Sequence, residues 1–202
     1  MIHAYHVIFS TYGFWLPNDP RGSWSDFVGA WELYKYGRAT KVYTRRSSAH
    51  DFHDHALRQD AKKTLKYPPV HFTGLQARAV ARGFTHYAVH ANLTIWACSI
   101  MPDHVHLVFQ RTGRLSERIV NQFKGAATKQ IVLEDIHPLA EHTRTNGRVP
   151  KMWARGLRKV FLNSEAAILR AIEYVEQNPV KEGKPRQRWN FVLPFPATRN
   201  AP

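Results

Sequence analysis

Two pairs of residues in this chain have the types and spacing that chemistry at a phosphate would use. His104 and His106 are separated by Val105 in the run HVHLVFQ, which reads as a β-strand. Side chains alternate faces along a strand, so the two imidazoles project to one side, spaced to share one metal ion, while Val105 points the other way. Tyr174 and Asn178 are four apart near the end of a stretch read as a helix, which stacks them on one face about a turn from each other. Packed on the sheet, such a helix would bring the Asn178 amide oxygen to the metal as a third ligand and the Tyr174 hydroxyl to a substrate phosphate. Each pair taken singly has a plainer reading. Two histidines on a strand are commonly a half-exposed polar face in a chain with 12 His, and a Tyr followed by Asn178-Pro179 is an ordinary helix end. Gln177 sits at the same helix end. It is the conjunction of the pairs that points to a site.

The elements that must carry these residues follow from periodicity and punctuation. His3 to Thr11 (HAYHVIFST) is rich in β-branched and aromatic residues and reads as a first strand. From Tyr12 to about Thr73 prolines and glycines interrupt every pattern, so residues 13–73 are expected as an irregular insertion, with a short helix over Asp51 to Lys63. Leu75 to His90 has helical spacing, weakened at Gly83. Thr94 to Ser99 and His104 to Gln110 form a hairpin around Pro102-Asp103. A helix is expected from Ser116 as N-cap to about Leu133, a loop over His137 to Pro150, a strand over Leu157 to Leu162, and a last helix from Asn163 or Ser164 to about Gln177, ended by Asn178-Pro179. Strand, helix, strand, strand, helix, strand is the order of a ferredoxin-like antiparallel sheet with helices packed on it, an α+β fold in a single domain over residues 1–202.

Bulk composition narrows the partners. With 29 Lys and Arg against 15 Asp and Glu, the chain carries +14, spread along its length, which implies a polyanion. The single Cys98 excludes an intramolecular disulfide, and no apolar run approaches the roughly 18 residues of a membrane span. A soluble, intracellular protein is expected. His50, His53 and His55 lie close together with Asp51 and Asp54, but their spacing fits no closed zinc pattern and suits a polar helix start.

Three stretches, Tyr5-His6-Val7-Ile8-Phe9-Ser10-Thr11, Met101-Pro102-Asp103-His104-Val105-His106-Leu107-Val108 and Ala171 to Lys181 (AIEYVEQNPVK), resemble the HUH single-tyrosine transposases, specifically the REP-associated branch related to the transposases of small bacterial insertion sequences. The resemblance covers residues 1–12 and 84–190. It implies that His104 and His106 hold a divalent ion, that Asn178 completes the metal site where insertion-sequence relatives carry Gln, and that Tyr174 is the nucleophile. The implied reaction cuts single-stranded or hairpin DNA through a 5′-phosphotyrosine and rejoins it. Mg²⁺ or Mn²⁺ suits two imidazoles, an amide and phosphate oxygens. The resemblance further implies a monomer or homodimer, no membrane, and a cytoplasmic, nucleoid-associated place in a bacterial cell.

Phosphate contacts are expected from Lys124, Lys129, Arg155, Arg158, Lys159, Lys181, Lys184, Arg186 and Arg188, although any one basic residue is more commonly a solvated surface charge. Trp153 and Trp189 are candidates to stack on bases or to fill the core. Tyr34, Lys35, Tyr36, Arg38, Lys41, Tyr43, Arg45 and Arg46 interleave aromatic and basic residues in a way suited to gripping a strand. The reading from another class is a non-catalytic ferredoxin-like binder of single-stranded nucleic acid. It would place aromatics where His104 and His106 stand.

Overall fold

The structure, a computed structural model, describes residues 1–17, 19, 28, 31–37, 52 and 54–196. The expected contacts at Arg38, Lys41, Tyr43, Arg45 and Arg46, and the residues His50, Asp51 and His53, lie outside this set. The chain falls into two compact units, Met1–Phe9 with Phe72–His137 and Arg158–Pro202, and Ser10–His71 with Pro138–Leu157.

In the first unit a four-stranded antiparallel sheet is built from β1 (Ala4–Ser10), β2 (Ile95–Ile100), β3 (His104–Gln110) and β4 (Arg158–Leu162), in the order β2-β3-β1-β4. This is the expected α+β architecture, with the first and last strands paired from Ala4↔Leu162 to Ile8↔Arg158. The free edge of β2 is covered: the Gln187 amide accepts from Ile100 N at 2.7 Å and donates to Ile100 O at 2.8 Å, and Val192 bridges Ile95. A side-chain amide here takes the place of a neighbouring strand.

Helices cover both faces. α2 (Gly74–His90) and α3 (Ser116–Leu133) pack on each other, and the face that carries Phe9 meets them through Phe84, which lies 5.0 Å from Phe123 between ring centroids. Gly83, which reads in the sequence as a weak point in a helix, is a point of close approach to α3. A Cβ there would lie 2.6 Å from the Ala126 carbonyl oxygen. Arg82 is paired with Glu134 beyond the end of α3. The other face carries α4 (Glu165–Lys181), whose Ile168, Ala171 and Val175 bury against Ala4, Val108 and Leu162.

Three helix ends of the first unit differ from expectation. α2 starts on Thr73, which forms a reciprocal capping box with Gln76, a T-x-x-Q signal present in the sequence but not used. Leu115 rather than Ser116 is the N-cap of α3; the Ser116 hydroxyl instead bonds the Glu117 carboxylate at 2.9 Å. α4 does not stop at Asn178-Pro179 but continues to Lys181. Proline lacks an N–H and its ring crowds the carbonyl four residues back, but its φ is already helical and the chain completes a last turn after it. The true stop is Gly183 at φ 69°, where Lys184 N bonds Pro179 O at 2.8 Å and Gly183 N bonds Val180 O at 3.0 Å, the paired bonds of a Schellman end.

The second unit joins two stretches that read separately as an insertion and a loop. Tyr12 N bonds Met152 O at 2.9 Å, Ala154 N bonds Ser10 O at 3.0 Å, and the Tyr67 ring lies 5.4 Å from His142. It holds a 3₁₀ turn (Trp31–Tyr36), α1 (His55–Lys63) and a second 3₁₀ turn (Ala140–His142). α1 begins at His55, later than expected, on an N-cap at Asp54 whose carboxylate accepts from Leu57 N at 2.9 Å. Asp54 therefore serves as a helix start. Leu16, Leu33, Tyr36 and Ala61 form a small core of their own.

Candidate active site

Four side chains converge on the α4 face of the first unit. β3 presents His104 and His106 on the same side, with ring centroids 4.9 Å apart. α4 presents Asn178, whose Nδ2 lies 3.4 Å from His104 Nε2, and Tyr174, whose ring is 5.6 Å from that of His106. Tyr174 is 42% exposed, whereas His106 is 3% and Asn178 9% exposed. An exposed tyrosine thus stands beside buried or partly buried polar groups.

Two further residues, assigned no role in the sequence, join these groups. Asp103, read only as a turn former, bonds His104 Nδ1 through its carboxylate at 2.7 Å. His6 on β1 has its Nε2 3.0 Å from His106 Nδ1, with the rings stacked at 5.2 Å and the Tyr174 ring 5.8 Å away. The available signal was a histidine in the middle of an otherwise apolar strand, AYHVIFS. Which residue it meets depends on β1 lying beside β3.

The electrostatics keep the buried imidazoles neutral. Burial lowers His6 to about 4, helped by the nearby Arg158 guanidinium. Burial likewise holds His106 well below the ordinary histidine range, with His104, His6 and Arg158 adding to the effect. Neutral imidazole is the form that can donate a lone pair to a cation. Among the described residues no group of three His, Cys, Asp or Glu is arranged as a metal cluster. The residues that could hold a cation are His104, His106 and Asn178, and His6 and Asp103 bond Nδ1 of His106 and of His104 respectively.

The basic residues separate by face. Arg158 is aligned with Ile8 in the β1–β4 ladder, two positions from the His6↔Val160 pair, and so projects on the side of the imidazoles. Lys181 lies on the same stripe of α4 as Tyr174, its Nζ 5.3 Å from the ring centroid. Lys159, one residue on from Arg158, projects to the opposite face, where it bonds the Glu117 carboxylate at 2.6 Å and lies over Tyr5 and Phe161. Lys124 is 7% exposed with its ammonium 5.3 Å over the Phe9 ring, and burial lowers it to about 8. The expected phosphate contact at Lys124 is thus a core position, because α3 turns that residue toward the sheet. Lys129, Lys181, Arg186 and Arg188 are exposed, Lys184 pairs with Glu182, and Arg155 is exposed in the second unit. Trp153 is buried, and Trp189 has its indole nitrogen buried.

An antiparallel sheet with an imidazole pair on its inner strand and a tyrosine helix across one face is the class of fold and site present here. Residues 64–178 match the family model described as "Transposase IS200 like". The chain belongs to this transposase family and is a DNA-processing enzyme. No curated protein matches it. Two similar solved structures are a REP-associated tyrosine transposase bound to a REP hairpin (11% identity, TM-score 0.46, covering 90% of this chain and 68% of that one) and a putative transposase from Deinococcus radiodurans (14% identity, TM-score 0.37, covering 88% and 91%). No helix among the described residues is long and apolar enough to cross a membrane.

Proposed function

We propose that this chain nicks and rejoins single-stranded, hairpin-associated DNA, with Tyr174 as nucleophile and with His104, His106 and Asn178 holding a divalent cation, Mg²⁺ or Mn²⁺. The observation that carries the reading is the meeting of an exposed tyrosine on α4 with the imidazole pair of β3, the His106 ring 5.6 Å away. Membership of a transposase family makes DNA the substrate class.

The donor chemistry fits a cation. His104 has its Nδ1 engaged by Asp103, which leaves Nε2 as the basic nitrogen, and that nitrogen already faces the Asn178 amide. A half-turn of the amide about its Cβ–Cγ bond presents oxygen instead of nitrogen, the donor a hard cation takes. When bound, a divalent ion supplies charge that draws electrons from a non-bridging phosphate oxygen.

The protein's own groups do the rest. The sheet and α4 fix the phenol relative to the site, so attack is a matter of placing a phosphodiester in line with the Tyr174 oxygen. The Lys181 ammonium lies beside the Tyr174 ring, 5.3 Å from its centroid, where it can meet a phosphate brought to the phenol. The phosphorus–phenol oxygen bond forms as the bond to the 3′-oxygen breaks; the phenol gives up one proton and the departing 3′-oxygen takes one up, leaving a 5′-phosphotyrosine and a free 3′-hydroxyl. Because the ester energy is kept, a second 3′-hydroxyl can reverse the step and join a new strand. Arg158, on the imidazole face, and Lys181, Arg186 and Arg188 are placed for backbone contacts. Lys129 is exposed on α3, in the helix layer of the opposite face, and Arg155 is exposed in the second unit; neither is assigned to the α4-face set.

Labelled single strands and hairpins incubated with the protein and Mn²⁺ are expected to give a covalent adduct that survives denaturation. Tyr174→Phe abolishes the adduct while binding persists. Equal cleavage by the Phe variant removes Tyr174 from its role, and binding without any adduct in the wild type leaves a non-catalytic binder.

A further inference from the structure

We propose that His6 is a positioning residue for His106: it accepts a hydrogen bond from His106 Nδ1–H and so fixes the imidazole in the tautomer that leaves its Nε2 lone pair for a cation. This rests on the metal-site reading of His104 and His106 above. The argument begins with proton counting. Two neutral imidazoles whose facing nitrogens are 3.0 Å apart share a single proton between those nitrogens. If the proton is on His6 Nε2, His106 carries its own on Nε2 and has no lone pair there. If it is on His106 Nδ1, Nε2 is free. Ligation through His106 Nε2 therefore requires His6 to be the acceptor.

Burial makes the dependence strict. His106 is 3% and His6 7% exposed, so solvent has little access to replace a lost partner, and a His106 Nδ1–H without an acceptor would be an unsatisfied buried donor. The same logic is visible at the neighbouring imidazole. Asp103 accepts from His104 Nδ1 at 2.7 Å and does for that ring what His6 does for His106. Each candidate ligand thus has its own backing group, one from the hairpin turn and one from the adjacent strand. A neutral acceptor is what the deeper position tolerates, since a carboxylate there would carry a charge into the core.

The test uses the full-length chain. Mn²⁺ affinity is measured by electron paramagnetic resonance for the wild type, His6→Leu and His6→Gln, with thermal melting in EDTA alongside. His6→Leu is expected to weaken Mn²⁺ binding about 10- to 100-fold. His6→Gln is expected to restore most of it, because the glutamine amide oxygen reaches the position of the imidazole Nε2. Unchanged affinity in His6→Leu overturns the proposal, as does equal loss in both variants, which would mark His6 as mere packing. A wild type that fails to bind Mn²⁺ sinks the metal-site reading and this inference with it, a result distinct from both. Should the variants not fold, the ¹⁵N shifts of the histidine rings in Mg²⁺-titrated wild type decide: His6 is expected as the Nδ1–H tautomer, and His6 protonated at Nε2 overturns the proposal.

Discussion

Asn178 lies one turn from an exposed tyrosine and is itself buried, with its amide against His104 Nε2. If it completes a cation site, Asn178→Leu lowers Mn²⁺ affinity at least about tenfold, whereas Asn178→Asp, which offers a hard anionic oxygen, binds Mn²⁺ at least as well as the wild type. Titration of both variants checks this, and equal affinities for Leu and Asn exclude the amide as a donor. Lys124 carries a different expectation. Its folded-state value is lowered to about 8 by burial, below the 10.5 of a free lysine. Below pH 8 both folded and unfolded chains hold the proton and the cost of burying the charge is fully present. Between pH 8 and 10.5 the folded chain releases the proton first, so this group makes stability rise with pH. Lys124→Met should flatten that rise, as read by denaturant melts at pH 7 and 9.5; a Met variant whose stability climbs with pH as steeply as the wild type's refutes it. The paired residues His104/His106 and Tyr174/Asn178 are legible in the sequence because each pair sits within one element, where periods of 2 and 3.6 fix relative direction. His6 is not legible in that way: its partner is 100 residues away and is set by strand order. Nor was the burial of Lys124, which depends on the face α3 turns to the sheet.

At the scale of elements, α2 and α3 are locked by a backbone approach that only glycine permits. An added Cβ at Gly83 meets the Ala126 carbonyl carbon and the Ala127 Cα at 2.8 Å, atoms of a helix backbone that cannot rotate away. Gly83→Ala raises intrinsic helix propensity by up to ~1 kcal/mol, but forcing two packed helices apart costs about 1–3 kcal/mol, so net destabilisation is expected. A lowered melting temperature verifies it; an unchanged or raised one means the helices slide at little cost. The same contrast explains what was legible about α4. Its start at Ser164 is written in local side-chain chemistry, the hydroxyl accepting from Ala167 N at 3.2 Å. Its end is misread when Pro179 is taken as a stop, because a proline near the C-terminus of a helix costs one donor, while Gly183 in the left-handed region is what reverses the chain. The extra turn matters to the site. It keeps Lys181 helical and lets its ammonium lie against the Tyr174 ring.

Over the whole molecule, a charge of +14 ensures attraction to DNA, yet the cations are not equivalent. Lys159 is paired with Glu117, Arg82 with Glu134 and Lys63 with Asp60, so part of the positive charge is already answered within the fold. Lys181 is exposed beside the candidate nucleophile, on the opposite side of the sheet from Lys159. Each phosphate neutralised by a cation releases condensed counterions, so the slope of log affinity against log salt changes by about 0.7 per contact on a single strand. Lys181→Gln should therefore weaken binding of a hairpin with single-stranded flanks and make its salt dependence shallower by about 0.7. Lys159→Gln should leave the slope unchanged, whatever it does to stability by freeing Glu117. Fluorescence anisotropy at serial KCl concentrations, in EDTA so that no cleavage intervenes, separates the two. A slope that falls equally for both variants would mean that DNA does not distinguish the α4 face from the α2–α3 face. In that case the strand has no defined path past Tyr174, and the phenol and imidazoles, however well placed against each other, would not be presented with a phosphate.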